Sequence, residues 1–303
     1  MKRDFLSIED LSVQELQALL EEAKLLKQER AQHRMRQSLH GKTLAMIFEK
    51  ASTRTRISFE VGMYELGGHA LFLNPKDLQL GRGEEIRDTA RVISRYVNGV
   101  MIRAYRHHTV EEFARYSRVP VINGLSDREH PCQILADLMT MQEHCTNLRG
   151  LKVAWIGDGN NVCNSLILST PLTGMKVIIA SPPAFAPSEE IITRARSRGG
   201  AIQITQDPLA AATHANVLYT DVWISMGDEA EQAARVKAFK GYSITSDLLS
   251  RAAGDAVVMH CLPAHRGEEI SDEVIESSRS VVWDQAENRL HAQKALLNWL
   301  IHS

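Results

Sequence analysis

The chain has 303 residues, of which 44% are hydrophobic and 24% charged, and 35 Lys and Arg nearly balance 37 Asp and Glu. The net charge of -2 excludes the strongly basic surface of nucleic-acid-binding proteins and polybasic membrane anchors. Apolar runs are only strand length and the N-terminus lacks the apolar stretch of a signal peptide, so neither a membrane span nor secretion is expected. Four cysteines without paired spacing predict free thiols in the cytoplasm.

In the first half of the chain, helical and strand patterns alternate. Apolar residues recur at helical spacing over residues 13–30, which predicts an amphipathic helix. The strands predicted after it are 43–48, 69–73, 99–102 and 119–122. The helices predicted between these strands are 52–66, 84–97 and 109–116. Such alternation is typical of a parallel sheet with helices on both faces.

The alternation restarts after a helix predicted at 131–144, which indicates a second domain. The strands expected there are 152–156, 176–180, 201–205, 217–220, 257–261 and 281–283. The helices expected there are 161–170, 188–198, 229–239 and 271–278. A last amphipathic helix, 287–301, is expected to cross back to the first domain. The predicted fold class is therefore α/β, with two doubly wound parallel-sheet domains formed by 1–143 with 287–303 and by 144–286.

Polar clusters follow several predicted strands, which is where open parallel sheets bind ligands. The first cluster is Ser52-Thr53-Arg54-Thr55-Arg56, after strand 43–48. A helix start offers N–H groups and partial positive charge to an anion, and Arg54 adds a planar fork that matches phosphate. An ordinary Ser or Thr helix cap with surface arginines would explain the same residues. Arg56 points elsewhere and is predicted to be structural.

Two further clusters in the first domain can interact with an anion. Arg103 ends a predicted buried strand, where it needs either a bound anion or a partner carboxylate. The sequence His130-Pro131-Cys132-Gln133 starts a helix, so both His130 and Gln133 can point toward one ligand. A histidine can donate to a developing oxyanion, and a glutamine amide both donates and accepts.

Two nucleotide motifs are incomplete in this sequence. Gly41-Lys42-Thr43 lacks the earlier glycine of a phosphate-binding loop, since position 36 is Arg36, and it precedes a strand. The loop Gly157–Asn161 resembles the start of a dinucleotide motif, but Val162 stands where a small residue is required. The two asparagines of this loop instead suit a polar substrate. Neither ATP nor a nicotinamide cofactor is therefore expected.

The remaining clusters end two strands of the second domain. In the segment Asp221–Gly227, Asp221 either holds a substrate ammonium or caps a loop. In Met259–Pro263, Cys261 is either a reactive thiol or an ordinary buried cysteine. Metal binding by His260 together with Cys261 is not expected, because neighbouring residues of a strand face opposite ways.

Taken together and in this order, these clusters resemble the aspartate/ornithine carbamoyltransferase family over nearly the whole chain. The Ser-Thr-Arg-Thr-Arg run and His130-Pro131-x-Gln133 mark the family, while Asp221 with Ser225-Met226-Gly227 and His260-Cys261-Leu262-Pro263 mark its ornithine branch. The resemblance implies transfer of a carbamoyl group from carbamoyl phosphate to the side-chain amine of L-ornithine. The products would be L-citrulline and phosphate, in arginine biosynthesis, with no metal or cofactor. An enzyme acting on putrescine or an acylated ornithine is the alternative.

The resemblance also implies individual roles. The residues implied for carbamoyl phosphate are Ser52, Thr53, Arg54, Thr55, Gln79, Arg103, His130, Pro131, Cys132, Gln133, Cys261, Leu262 and Arg289. Among these, Arg103, His130 and Cys261 are the implied catalytic residues, and Gln79 belongs to a loop that reaches a neighbouring subunit's site. The residues implied for ornithine are Asn161, Asp221, Ser225 and Met226. A homotrimer or a multiple of trimers is implied, with no nucleic-acid or membrane partner.

Overall fold

The computed structural model describes residues 2–74, 83–145, 147–224 and 232–301. The chain divides into two compact units, one formed by Met1–Met139 with Glu287–Ser303 and the other by Thr140–Ala286. Each unit contains one sheet, and all strands of both sheets run parallel. The predicted α/β class with two parallel-sheet domains and a C-terminal helix is therefore confirmed. Among the described residues, no helix is both long enough and apolar enough to span a membrane.

The first unit is built on a four-stranded sheet of order β2-β1-β3-β4. Its strands are β1 (Thr43–Phe48), β2 (His69–Leu73), β3 (Gly99–Arg103) and β4 (Val121–Leu125). Its helices are α1 (Val13–Ala31), α2 (Thr53–Glu65), α3 (Ile86–Ile93), α4 (His107–Tyr116) and the start of α5 (Pro131–Cys145). The core lies on the sheet, where Ala45, Ile47, Val100 and Ile102 pack with Phe113.

Local sequence explains how α1 begins. The Ser12 hydroxyl accepts a hydrogen bond from the Glu15 amide at 3.2 Å, and the Glu15 carboxylate accepts one from the Ser12 amide at 2.8 Å. This reciprocal pair satisfies amides that a helix start leaves unbonded. Leu16, Leu20 and Ala23 recur on the buried face. The predicted helix over 13–30 is thus present almost to the residue.

The fourth strand was predicted too early, at 119–122, whereas β4 spans Val121–Leu125. The prediction ended at the polar Asn123 and Gly124, which interrupt the apolar run. The backbone of Phe5 pairs with this strand, since the Phe5 amide donates to the Val121 carbonyl and the Asn123 amide to the Phe5 carbonyl, each at 2.8 Å. Pairing with a distant segment therefore maintains the strand where its own side chains give no signal.

The second unit contains a five-stranded sheet of order β7-β6-β5-β8-β9. Its strands are β5 (Lys152–Ile156), β6 (Lys176–Ala180), β7 (Ala201–Thr205), β8 (Val217–Thr220) and β9 (Val257–His260). Its helices are α6 (Asn161–Thr173), α7 (Glu189–Ser197), α8 (Pro208–Ala212), α9 (Gln232–Ala238), α10 (Ser246–Leu249) and α11 (Asp272–Ile275). The stretches that form α8 and α10 are too short for apolar periodicity to reveal them.

The strand predicted at 281–283 is wrong, because Val282 is the first residue of the last helix, α12 (Val282–Ile301). The backbone explains the resemblance to a strand, since the Val281 amide donates to the Val258 carbonyl at 3.0 Å and Ser280 forms a single bridge with Val258. The helix then starts at once, with the Gln285 amide bonded to the Val281 carbonyl at 2.9 Å. The last helix therefore begins before the predicted residue 287.

Candidate active site

The carboxyl ends of β1 and β3 lie side by side in the first sheet, and Phe48 pairs there with Arg103. The chain passes from β1 to β2 on one side, while β3 lies on the other side. In open parallel sheets such a reversal of strand order leaves a crevice in which ligands bind. The segment Ser52–Arg56 follows β1 and Arg103 ends β3, so two predicted clusters lie at the same reversal point.

Ser52 caps α2, because its hydroxyl accepts from the Thr55 amide at 3.3 Å. The ordinary cap considered from the sequence is thus present. This hydroxyl satisfies one of the unbonded amides of the first turn, and the turn carries no acidic side chain. The positive end of the helix dipole is therefore not neutralised by the helix's own residues, and Thr53 is exposed there. Capping and anion binding are compatible at this helix start.

Arg56 is held by its neighbours in the first unit. Its Nε donates to the Glu60 carboxylate at 3.0 Å, and its guanidinium lies over the Phe72 ring at 4.0 Å from the centroid. These contacts agree with the structural role predicted for Arg56.

Arg289 of α12 connects two of the predicted clusters. Its Nη1 donates to the Gln133 side-chain oxygen at 2.7 Å, and its Nη2 donates to the Thr55 hydroxyl at 3.1 Å. Gln133 in turn donates from its amide nitrogen to the Asp137 carboxylate at 2.9 Å. All four side chains are buried. No sequence motif marks Asp137, although it lies four residues after Gln133 and thus on the same face of α5.

His130 is buried among positive charges. Burial and the nearby guanidinium groups of Arg289, Arg103 and Arg54 hold the pKa of His130 well below its ordinary value. The imidazole is therefore neutral near pH 7 and can donate one hydrogen bond as well as accept one. Three guanidinium groups around a neutral donor produce a strongly positive local potential, which favours binding of an anion.

The other two residues of the His130–Gln133 motif have backbone and packing roles in the structure. Pro131 is the first residue of α5, a position where a missing N–H costs nothing. The Cys132 thiol is buried and donates to the Asn123 carbonyl at 3.3 Å. Burial raises the pKa of Cys132 to about 12, so this thiol stays protonated. Gln79 lies outside the described residues.

The second sheet also reverses its strand order, between the neighbouring strands β5 and β8. Asn160 follows β5 and caps α6, since its side-chain oxygen accepts from the amides of Val162 and Cys163 at 3.0 and 3.1 Å. Its amide nitrogen donates to the Asp221 carboxylate at 2.6 Å. The other carboxylate oxygen of Asp221 accepts from the Val222 amide at 2.8 Å. Asp221 is therefore held in one orientation.

The family resemblance implies a ligand role for Asn161 and no separate role for Asn160. Asn161 is the first residue of α6 and is half-buried, so it stands beside the Asn160–Asp221 pair. Ser225 and Met226 lie outside the described residues. Its position at a helix start is the sequence feature that could have indicated a role for Asn160. An Asn there uses its side-chain oxygen for the cap and keeps its amide nitrogen for another partner.

The turn after β9 is fixed by a buried hydrogen bond between a histidine and a carboxylate. His260 and Glu269 are both 0% exposed, and Nε2 of His260 lies 3.0 Å from the Glu269 carboxylate. Nδ1 of His260 accepts a hydrogen bond from the Leu262 amide at 2.9 Å, so the proton of the neutral ring is on Nε2. Leu262 has φ +57°, and Cys261 beside it is half-buried. The pair therefore fixes the backbone that carries Cys261 and Leu262.

Asp221, His260 and Cys261 each place one potential metal ligand within 4.8 Å of the others. The expectation that His260 and Cys261 face opposite ways does not hold, because β9 ends at His260 and Cys261 lies in the turn. Both ring nitrogens of His260 are nevertheless engaged, with Glu269 and with Leu262. A metal could use this histidine only by breaking one of those bonds.

Two family models match the chain in the same order as the two units. Residues 3–143 match the carbamoyl-P binding domain of aspartate/ornithine carbamoyltransferase, and residues 149–300 match its Asp/Orn binding domain. The chain belongs to the aspartate/ornithine carbamoyltransferase family. It is accordingly a carbamoyltransferase.

Individual members of the family resemble the chain over its whole length. An ornithine carbamoyltransferase from Methanoculleus marisnigri is 64% identical over 301 residues, which cover 99% of this chain and 97% of that protein. The structure of ornithine carbamoyltransferase from Pyrococcus furiosus has a TM-score of 0.95 and 52% identity, with 99% and 97% of the two chains covered. An N-acetyl-L-ornithine transcarbamylase structure is also similar, with a TM-score of 0.88 but 33% identity, over 99% and 100% of the two chains.

Proposed function

We propose that this carbamoyltransferase moves the carbamoyl group of carbamoyl phosphate to the side-chain amine of L-ornithine and releases L-citrulline and phosphate. One observation carries the carbamoyl phosphate assignment, namely that Arg103 ends β3 beside the end of β1, while Arg289 bonds Thr55 and Gln133 at the starts of α2 and α5. The ornithine assignment is supported by relatives named ornithine carbamoyltransferase, two of which are 64% and 62% identical to this chain. The acetylornithine enzyme is less similar, and nothing favours the putrescine alternative.

We assign the two substrates to separate domains. Residues 1–143 with residues 287–303 form the proposed carbamoyl phosphate domain, and residues 144–286 form the proposed ornithine domain. The compact units and the two matching family models support this division.

In the proposed carbamoyl phosphate site, the start of α2 and the guanidinium groups of Arg54 and Arg103 bind the phosphate. Arg289 and Gln133 support them through the bonds that connect α12, α2 and α5. His130 and Arg103 donate to the carbonyl oxygen. The complete proposed set is Ser52, Thr53, Arg54, Thr55, Gln79, Arg103, His130, Pro131, Cys132, Gln133, Cys261, Leu262 and Arg289. Cys132 contributes by packing, because its thiol is buried and protonated.

The chemical step needs little beyond positioning and charge stabilisation. The lone pair of the neutral ornithine amine attacks the carbonyl carbon, and a C–N bond forms as negative charge develops on the carbonyl oxygen. The carbonyl double bond then re-forms as the C–O bond to phosphate breaks, phosphate leaves with the electron pair, and the proton lost by the amine passes to the departing phosphate. Loss of one donor to such an oxyanion typically raises the barrier by about 2.7–4 kcal/mol. The leaving group is already activated, so the reaction itself requires no metal or organic cofactor.

For ornithine, we propose Asn161, Asp221, Ser225 and Met226 as the binding residues. The Asp221 carboxylate is buried and held by Asn160, which suits it to accept a hydrogen bond from the substrate amine without reorienting. Cys261 lies in the fixed turn after His260 and, together with Asp221, orients the attacking amine. The joint role proposed for Cys261 and Asp221 is supported by the distance of at most 4.8 Å between the Cys261 sulfur and an Asp221 carboxylate oxygen.

We further propose that the protein is a cytoplasmic homotrimer, or a multiple of trimers, in arginine biosynthesis. The edge strand β2 supports assembly, because its Leu71 and Phe72 are 40% and 37% exposed and Ile57 of α2 is 54% exposed. Exposed apolar side chains on a sheet edge suit a subunit contact. All four cysteines are free thiols, which supports a reducing compartment.

The decisive experiment measures carbamoyl transfer from carbamoyl phosphate to a panel of acceptors, namely ornithine, N-acetylornithine, putrescine and aspartate. We expect ornithine to give the highest kcat/KM. A higher value with any other acceptor contradicts the ornithine assignment. Arg54→Ala should lower the rate at least a hundredfold, because it removes the positive charge that stabilises the leaving phosphate. Arg91→Ala should change the rate less than about twofold. Arg91 is the matched control, since its pair with Asp88 is exposed.

A further inference from the structure

One guanidinium joins three separate segments of the second unit. Arg235 of α9 donates from Nη1 to the Asp158 carboxylate at 3.1 Å and to the Trp223 carbonyl at 3.0 Å. Its guanidinium also lies over the Phe185 ring, 4.7 Å from the centroid. The side chains of Arg235 and Asp158 are only 11% and 10% exposed. This ion pair is therefore shielded from solvent and stronger than an exposed pair.

The two segments that accept from Arg235 both carry proposed ornithine residues. Asp158 lies in the loop after β5, two residues before Asn160, and Trp223 lies two residues after Asp221. The loop after β5 has little freedom of its own. The Trp155 side chain donates to the Asp158 carbonyl at 2.9 Å, and a Cβ added at Gly159 would collide with the backbone of Ala186 and Pro187.

Two carboxylates, those of Asp158 and Asp221, contribute negative charge to this part of the second unit. Burial raises the pKa of the Cys163 thiol, and the negative charges of Asp158 and Asp221 raise it further, so both carboxylates contribute negative potential to this part of the unit. Arg235 neutralises Asp158 by direct contact. Without that contact a second negative charge would face the region in which Asp221 is held by Asn160.

We propose that Arg235 is a positioning residue for the second substrate: it fixes the Asn160–Asn161 loop relative to the Asp221 segment and neutralises Asp158. This inference rests on the proposed function, because it assigns ornithine binding to those two segments. It predicts a specific effect on the second substrate, since the contacts of Arg235 with Asp158, Trp223 and Phe185 all lie in the second unit.

The test compares Arg235→Met, Arg235→Lys and the control Lys237→Met by steady-state kinetics with each substrate varied in turn. Arg235→Met should raise the KM for ornithine about tenfold or more, which corresponds to about 1.4 kcal/mol. The KM for carbamoyl phosphate should stay within about twofold. Lys237 is an exposed residue of the same helix, so its variant loses the same charge without these contacts and should behave as wild type.

Arg235→Lys keeps the charge but replaces the planar guanidinium by an ammonium, so we expect an intermediate KM for ornithine. Asp158→Asn should also raise that KM, and the double variant Arg235→Met with Asp158→Asn should be no worse than Arg235→Met alone, because the pair acts as one unit. Thermal unfolding of each variant shows whether the fold survives. If Arg235→Met does not fold, the folded Lys and Asp158→Asn variants provide the same comparison.

The outcomes separate this inference from the function on which it rests. An active wild type whose Arg235 and Asp158 variants change both KM values equally, or change thermal stability alone, overturns the positioning role and leaves the proposed function intact. A wild type that forms no citrulline overturns the proposed function and this inference with it.

Discussion

Arg289 donates to the hydroxyl of Thr55 at 3.1 Å, although 234 residues separate them in the chain. The same guanidinium donates to Gln133 at 2.7 Å, so α12 is bonded to the starts of both α2 and α5. The contact places the last helix of the chain beside the residues that we assign to the phosphate group. The first domain would therefore lose part of its site if the C-terminal helix were removed.

Arg289→Lys is expected to weaken carbamoyl phosphate binding about tenfold or more. A lysine cannot donate to Thr55 and Gln133 at once in the planar geometry of the guanidinium, and its compact charge is placed differently. Thermal shift with increasing carbamoyl phosphate measures this affinity without turnover. Lys27→Met is the matched control, because Lys27 bonds Asn288 of the same helix at 2.9 Å. Equal losses in the two variants would mean that only packing of α12 is affected.

The sequence predicted the clusters in the first domain well because each is local. A helix cap, a strand end and a proline at a helix start are short patterns with direct physical causes, and Ser52, Arg103 and Pro131 take these positions. Arg289 entered only through the family resemblance. Its partners lie far away in sequence, and no local pattern predicts which distant side chain a buried arginine contacts.

The same distinction explains what the sequence did not predict in the second domain. The ion pair Asp158–Arg235 and the hydrogen-bonded pair His260–Glu269 join residues from different elements, and neither pair produces periodicity or a motif. The early end predicted for the fourth strand has the same origin, since Phe5 supplies the pairing. The strand predicted at 281–283 failed because a short apolar run fits either a strand or the first turn of a helix.

Stability should fall as the pH decreases below about 6.5, the ordinary pKa of histidine. Burial lowers the pKa of His130, His107 and His291 in the folded chain. The unfolded chain therefore binds more protons in the range between the folded and unfolded pKa values, so protonation favours unfolding there. The contribution of these groups is fully present above pH 6.5 and decreases as the pH falls toward 5. Each unit of depression corresponds to about 1.4 kcal/mol.

Urea unfolding of the ligand-free protein between pH 5 and 8 measures this dependence. His130→Asn should flatten the slope of unfolding free energy against pH, because His130 is the one of the three groups whose pKa is lowered furthest in the folded chain. His108→Asn removes an exposed histidine and should keep the wild-type slope. If His130→Asn showed an unchanged slope, the imidazole would not be held neutral by its surroundings.

Asn160 combines two roles that substitutions can separate. Asn160→Ser keeps an oxygen that can cap α6 but loses the amide that donates to Asp221 at 2.6 Å. We expect nearly wild-type stability and a KM for ornithine raised about tenfold, because Asp221 loses the donor that orients it. Asn160→Ala should add a loss of about 1 kcal/mol of stability from the missing cap. Urea unfolding and citrulline kinetics distinguish the two effects, and an unchanged ornithine KM in both variants would contradict the orienting role.

Glu269 should control the turn that carries Cys261 and Leu262, through His260. The Glu269 carboxylate accepts from the His265 amide at 2.6 Å and lies 3.0 Å from His260 Nε2. Glu269→Ala leaves the buried His260 ring N–H without an acceptor, and such an unsatisfied donor typically costs about 1–3 kcal/mol of stability. Glu269→Gln has the same shape and retains an acceptor oxygen, so we expect a smaller loss of stability. If the pair positions the turn, Glu269→Gln should still lower kcat severalfold. The His260 ring is then held less firmly, and so is the Leu262 amide that donates to it. His265→Asn is the control, since His265 is exposed and contributes its backbone amide to the same carboxylate whatever its side chain. Wild-type kcat in a folded Glu269→Gln variant would restrict Glu269 to stabilising the fold.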